Sequence, residues 1–516
     1  MAGFLTLVLL SFGLVPFLGH NFFPSVESGQ IRLHMRAPVG TRIEETRRLC
    51  DEVEAAIRHV IPPHDLASIV DNIGLPISGI NMAYANSGTI GSSDADILIT
   101  LTPDHVNGAN GYVETLRTRL PRRFPGTSFA FLPADIVTQI LNFGVPAPID
   151  VQVSGNDLAS NRAYADRLLR RISRVAGVAD PRVQQAFNAP TLGVDVDRSL
   201  AAEVGMTEAD VATSLQDTLA GSIQTAPSFW LNPANGVSYP IVVQTPQYAI
   251  DTLGDLTTVP VTAHGGTQLL GGLASIRRTV GSAVVSHYNV QPVIDIYATT
   301  HGRDLGAVAA DIQRILNDTA KELPRGSAAV LRGQVTTMTT AYAQLYAGLA
   351  FAAVLITLLI VVNFQSWLDA FVIVTALPAA LAGVVWMLFV THTTLSVPAL
   401  TGAIMCLGVA TANSILVVSF ARERLAAGLD PVAAAIDAGF TRFRPVLMTA
   451  LAMIIGMTPM ALSAEQNAPL GRAVIGGLLC ATCATLAFVP VVFSIAHTRA
   501  RRAAAAPRPV GVSSYA

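Results

Sequence analysis

Apolar positions gather into five runs toward the end of the chain, at 342–362, 370–390, 398–420, 446–462 and 473–496. Each has close to the 17–25 residues that a helix needs to cross a hydrocarbon layer about 30 Å thick. A sixth run, 2–18, opens the chain. No basic stretch precedes it and no small-x-small cleavage site comes before His20, so it reads as a retained span rather than a leader. It starts at the first Met with no flanking loop, and further sequence is expected upstream of it.

Residues 21–340 follow another rhythm. A strand at 30–37 is followed by an amphipathic helix at 41–60, entered through Thr41 with Glu44 three residues on as a capping box, and then by a strand at 67–73. The pattern recurs with a strand at 96–101, a helix at 111–124 and a strand at 127–132. A clearer repeat joins 149–182 to 293–332. In each, an alternating strand leads to Gly-x-Asp-Leu (Gly155, Asp157, Leu158 and Gly302, Asp304, Leu305), a long helix and a second strand. Both aspartates are placed to cap the helix that follows. Between 221 and 281 the helical period disappears and Pro, Gly and aromatics such as Phe229, Trp230, Tyr239 and Tyr248 dominate, as in a β-rich docking insertion. The expected fold is a polytopic α-helical membrane protein, one plus five transmembrane helices, with a large α+β domain of repeated βαβ units and right-handed crossovers.

Charge sharpens this division. Only 13% of the 516 residues are charged, against roughly 25% in a soluble domain, and 54 of the 68 charges fall in 21–340. The net charge of −2 leaves no basic field for nucleic acid. Arg422, Arg424, Arg442 and Arg444 crowd the loop 421–445, and Arg499, Arg501, Arg502 and Arg508 the tail 498–516. Short cytoplasmic loops accumulate Arg and Lys, so the loop, an amphipathic helix at 429–440 and the tail are expected in the cytoplasm, with 21–340 outside.

The apolar runs offer little chemistry of their own. All ten charges between 341 and 496, Asp369 among them, are expected in loops or at helix ends, so the spans carry no proton-bearing carboxylate. Their polar groups are Thr411, Asn413, Ser414, Ser419, Thr449, Thr482 and Thr485, read as helix-to-helix hydrogen bonders. Cys480 and Cys483 read as small packing residues. Lys321 is the sole lysine, and Gly265–Gly272 lacks the Gly-Lys-Ser/Thr ending of a phosphate loop. No hydrolase motif occurs, His34, His264, His287 and His301 are scattered, and no cofactor or resident metal is expected.

Three segments carry a resemblance: PFLGHNFFPSVESGQIRLHMRAPVGTRIEET after the first run, FLPADIVTQILNFGVPAPIDVQVSG in the polar domain, and LGVATANSILVVSFARERLAAGLDPVAAAIDAGFTRFRPVLMTALAMIIGMTP across the fourth and fifth spans. With these the chain resembles the resistance-nodulation-division (RND) efflux permeases, and within them the second half only. The resemblance implies an inner-membrane trimer that couples proton entry to multidrug or hydrophobe export, with a first-half chain, a periplasmic adaptor and an outer-membrane channel as partners. The channel would dock on 221–281. It implies relay positions at Asn413, Arg442 and Thr449, while Ala412 stands where many drug exporters have a lysine. The glycine-rich loop 74–93 resembles the substrate-pocket switch loop, with Ile77, Ile80, Met82 and Tyr84 in place of phenylalanines. Metal exporters of the family use a methionine cluster, and only Met35 and Met82 lie in the corresponding region. Other readings are a non-functional fragment of a split or truncated permease, a membrane-anchored enzyme or sensor, and a protein-export accessory subunit. That last branch keeps an Asp where this chain has Thr411, Ala412 and Asn413.

Overall fold

The computed structural model describes residues 2–24, 29–75, 88–104, 108–142, 145–263, 266–463 and 465–505. Helix α1 (Ala2–Phe12) stops before Gly13 and gives way to a tight turn at Val15–Phe17. Its 11 residues rise only about 17 Å, so the described part of the first apolar run is not a bilayer-length helix.

Strand β1 (Gln30–Arg36), helix α2 (Ile43–Val60), strands β2 (Leu66–Ile73) and β3 (Asp94–Leu101), helix α3 (Ala109–Arg123) and strand β4 (Ser128–Leu132) build one layer of sheet and one of helix. The strand order is β2-β3-β1-β4, and every ladder is antiparallel. The strands joined by each helix run in the same direction but sit one place apart, with a third strand between them. This corrects the side-by-side parallel pairing implied by repeated βαβ units: alternation fixes the direction of return, not which strand fills the gap. Ile31, Leu33, Met35, Ile97 and Ile99 face Val53, Ile57, Leu116 and Leu120 across the core. The capping box at Thr41 does not form. Arg42 occupies the cap position, Glu44 falls one residue too early, and Thr41 Oγ1 turns back to the Pro38 carbonyl at 2.6 Å.

Helix α4 (Ile136–Leu141), capped by Asp135 through the Thr138 amide at 2.7 Å, leads to strand β5 (Ile149–Ser154), helix α5 (Leu158–Ile172) and strand β6 (Val178–Val183). The chain then builds a separate compact unit, Ala186–Val284. In it, strand β7 (Ala189–Val196) is followed by α6 (Arg198–Glu203), α7 (Glu208–Leu219), β8 (Ser228–Leu231), β9 (Ser238–Ile241), α8 (Leu253–Thr257), β10 (Pro260–Ala263), β11 (Gly266–Leu269) and β12 (Ala274–Gly281). The β7–β12 ladder closes this unit over Val211, Leu256, Val261 and Leu270. It therefore takes in two helices and a strand upstream of the 221–281 stretch.

Strands β13 (Ser286–Tyr288) and β14 (Gln291–Thr300), helix α9 (Leu305–Thr319) and strand β15 (Ala328–Gly333) complete the second sheet. Here β5 lies between β14 and β15, with β6 and β13 both on β14 and all pairs antiparallel. The plan repeats that of the first sheet. Asp157 and Asp304 cap α5 and α9, accepting from the Ser160 and Ala307 amides at 3.1 and 2.9 Å.

Strand β15 runs into helix α10 (Gln334–Phe364) with no linker, through Gly333 at φ +80°. Then come α11 (Trp367–Val374), α12 (Leu377–Val390), α13 (Val397–Ala426), α14 (Pro431–Leu462), α15 (Ala468–Cys483), a π turn at Ala484–Phe488 and α16 (Val489–Ala505). Taken with α11–α12 and α15–α16 as continuous pieces, five helices among the described residues are long and apolar enough to cross a membrane. The expected amphipathic helix at 429–440 is not a separate element. Its residues are the first turns of the 32-residue α14, which continues through Pro445 without a break. Only 6% of the most apolar window of α10 is buried, against 61% for α11–α12. At the α12–α15 contact the packing is backbone on backbone: a Cβ at Gly476 would stand 2.2 Å from the Met387 Cβ.

Candidate functional site

Of the relay positions, Asn413 is buried on α13 at 3% exposure and makes no side-chain hydrogen bond among the described residues. Arg442 on α14 lies over the Phe420 ring, 4.9 Å from its centroid. That contact sets the register of two antiparallel helices. Seven residues along each, about 10 Å, reaches Asn413 on one and Thr449 on the other. The two stand at one height but face differently: Asn413 points inward, whereas Thr449 is exposed and donates to the Pro445 carbonyl at 2.9 Å. No direct contact joins the three. Most of the other hydroxyls also satisfy their own helix, as Thr411 and Thr482 do. The exception is Ser414, whose Oγ meets Thr485 Oγ1 at 2.9 Å inside the π turn, a bond that joins α13 to the α15–α16 span. Ala412 is exposed beside Asn413.

The positions Ile77, Ile80, Met82 and Tyr84 lie outside the described residues. The residues that follow them are held by buried charge. Asp96 accepts from the Gly88 amide at 3.1 Å, and Asp94 from the Ile90 amide at 3.0 Å. Gln184 of the second sheet donates to the Gly88 carbonyl at 2.9 Å. Asp94 is in turn gripped by Arg36 through two bonds of 2.8 and 3.0 Å. Asp96 is paired with Arg32 and with His34 Nδ1, each at 2.8 Å. Burial lowers the pKa of His34, and its bond to Asp96 opposes that shift. Burial also opposes ionisation of Asp96, but His34 and Arg32 outweigh it and bring the carboxyl down to about 2. His34 thus belongs to a structural clamp.

On the second sheet, Asp150 on β5 and Asp295 on β14 sit diagonally across the ladder, since Asp295 pairs with Gln152 and Asp150 with Tyr297. Each keeps one oxygen, Oδ1, without a hydrogen bond, while Gln152 and Gln185 donate to the others at 2.9 and 2.7 Å. Burial, and then Asp295, push the Asp150 carboxyl well above the usual carboxylate range. Burial does the same to Asp295.

A groove runs beside these sheets. Three adjoining cavities of about 230, 460 and 720 Å³ share Asn110, Val113, Arg117, Thr138, Pro148 and Thr300, or Gln30, Ala134 and Asp135. The largest also touches Glu465, Gln466 and Asn467, between α14 and α15 of the bundle. Helix α4 forms its lip and leaves Ile136 and Ile140 72% and 66% exposed. Arg117 crosses the floor, bound twice to Asp180 at 2.9 and 2.8 Å and lying 5.1 Å from the Phe131 ring. Sequence reasoning did not find this site, because its walls come from segments spread from residue 21 to residue 467 and none has a local motif. The Arg117→Ala variant should lower the stability of the sheet-bearing part of the chain by about 2 kcal/mol in chemical unfolding, between the exposed and the buried limits for an ion pair, and Arg117→Lys by less. Among the described residues, no group of three or more His, Cys, Asp or Glu side chains is placed to hold a metal ion. Met35 is fully buried in the first core.

Among the described residues, two antiparallel split sheets, a separate β-rich unit and five helices long and apolar enough to cross a membrane define a membrane-protein architecture. Residues 1–497 match the AcrB/AcrD/AcrF family, and the chain belongs to that family of RND permeases. It is 25% identical over 505 residues to the cobalt-zinc-cadmium resistance protein CzcA of Cupriavidus metallidurans, covering 95% of this chain and 46% of that protein. It is 27% identical to the nickel and cobalt resistance protein CnrA of the same organism, covering 94% and 45%. A solved heavy metal efflux pump superposes with a TM-score of 0.77 at 25% identity, over 95% of this chain and 49% of that one. The chain spans about half the length of the curated relatives it matches.

Proposed function

We propose that the chain is the second half of a proton-driven efflux transporter in the bacterial inner membrane, with its sheets in the periplasm. It works with a first-half chain that supplies the proton-carrying carboxylates, and with a periplasmic adaptor and an outer-membrane channel, in a trimer of the complete permease. The separate unit 186–284 is the channel-docking element. Asn413, Arg442 and Thr449 support the relay from this side, and residues 77–84 complete the substrate pocket.

The observation that carries this reading is the groove from Arg117 and Phe131 to Glu465–Asn467. It gives a path from the edge of the bundle into the outer domain, open to molecules gathered at the membrane surface. Its exposed Ile136 and Ile140, with Val113 and Phe131, suit small hydrophobic or amphipathic compounds. A second reading, export of divalent metal ions, is favoured by the names of the relatives, which are resistance proteins for cobalt, zinc, cadmium and nickel.

Inside-out vesicles energised with a pH gradient distinguish the two. With a first-half chain co-produced, an amphipathic dye should be transported at least tenfold faster than with either half alone, and Ile136→Asp should abolish this. Transport of zinc or cobalt but not of dye would establish the metal reading. Equal dye transport by this chain alone would overturn the need for a partner.

A further inference from the structure

The end of the bundle remote from the sheets holds a second polar constellation. There α10 finishes at Phe364 and α11 begins at Trp367, with Asp369 in its first turn at 2% exposure. Asp369 thus stands at a helix end, as expected, but as a buried carboxylate among three helices. Arg422 of α13 brings Nη1 to 3.4 Å from Oδ2 and donates to the Phe364 carbonyl at 2.9 Å. His497 of α16 brings Nε2 to 3.2 Å from Oδ1, within ion-pair reach, although Oδ1 accepts no well-aligned hydrogen bond among the described residues. The other ring nitrogen, Nδ1, lies 3.1 Å from the Phe493 carbonyl, and the ring stacks on Phe493 at 4.0 Å.

Counting protons at this ring gives a definite result. A backbone carbonyl and a carboxylate can only accept, and a neutral imidazole has a single N–H to give. With a neutral ring and an ionised Asp369, one nitrogen lone pair must therefore face an acceptor. That opposition is removed when the pair holds one further proton, as imidazolium with carboxylate or as imidazole with carboxylic acid. Among the described residues, Arg422 is the charged side chain in ion-pair contact with the pair. Residues 334–364 of α10 contain no acidic or basic residue, and α1 has none. On α13, Arg422 stays charged. On α14, which packs against α16, Asp437 is engaged with Arg424 at 2.8 Å, and Arg442 lies over Phe420.

We propose that Asp369 and His497 form a proton-binding site that fastens α16 to α11, loaded with one shared proton and anchored by Arg422. The site belongs to this chain alone. It goes beyond the transport reading, which places the proton carriers on a partner, and it stands whatever the exported compound.

The test uses the full chain in lipid nanodiscs with ¹⁵N-labelled histidine, the His497 signal being assigned by its loss in H497Q. The expected result is a ring that passes from doubly to singly protonated as pH rises, with proton affinity at least tenfold lower in D369N and restored in D369E. A ring singly protonated throughout, or one titrating alike in wild type and D369N, overturns the proposal. Thermal unfolding of H497Q gives an independent reading should D369N fail to fold. The wild-type midpoint should fall as pH rises through the transition and that of H497Q should not, and equal pH dependence in both overturns the site. Neither measurement involves transport, so the transport reading can fail while this one holds.

Discussion

Valine in place of Gly476 is expected to break the membrane bundle. A side chain there meets the Met387 Cβ at 2.2 Å and the Gly383 carbonyl oxygen at 2.5 Å, and neither can rotate away. The reciprocal position is as tight, for a Cβ at Gly383 would stand 2.3 Å from the Gly476 carbonyl and 2.6 Å from the Cys480 Cβ. Helices in a membrane gain their association from such close approach, since burying apolar surface contributes little when lipid is the alternative. Overpacking costs about 1–3 kcal/mol where neighbours yield and more where backbone must move. Thermal unfolding in mild detergent should therefore show a large loss for Gly476→Val and Gly383→Val. Valine at Gly408 or Gly456, where a Cβ would meet nothing within 4 Å, should leave the midpoint nearly unchanged. A Gly476 variant that melts with the Gly408 variant would sink the argument.

Replacing Asp150 by Asn should stabilise the second sheet at neutral and alkaline pH. The folded state holds the proton of Asp150 more tightly than the unfolded chain does, because burial and Asp295 disfavour its charge. The contribution is therefore fully present below the unfolded carboxylate range, near pH 4, and is lost as pH rises through the raised folded value. Within that window a single such group removes up to about 1.4 kcal/mol per pH unit. Asparagine keeps the shape, cannot ionise, and removes the repulsion felt by Asp295. Hydrogen exchange of the β5 and β14 amides in the full chain measures this: protection should decline with pH in the wild type and less steeply in Asp150→Asn, where Asp295 alone still titrates with a raised carboxyl. Parallel declines would show that the pair is not the cause.

What the sequence disclosed follows from the range of each signal. Apolar length is a local property, so all five C-terminal spans were legible, as were the Asp157 and Asp304 caps, whose motif spans four residues. The sheet order was not, because β2 and β3 are joined in space by a ladder that no local pattern encodes. The long α14 was cut short in the reading because Pro445 and a change from amphipathic to apolar pattern both look like a boundary, although a helix already formed passes through them. The Asp369–His497 contact spans 128 positions, and each residue alone resembles an ordinary helix-end charge. Likewise the groove is made only when both sheets and the bundle are in place.

The junction at Gly333 has a mechanical meaning. Strand β15 is hydrogen-bonded along β5, and the next residue is already helical, so no slack separates the sheet from α10. Any rotation of the sheet about that corner becomes a tilt of a 31-residue rod. The rod is held near its start, where the Tyr342 hydroxyl meets the Asn21 and Leu395 carbonyls at 3.0 and 2.7 Å, and is almost uncovered along its apolar length. Because Phe364 at the far end is buried and its carbonyl is held by Arg422, a small angular change outside the bilayer would be delivered as strain to the contact beside Asp369.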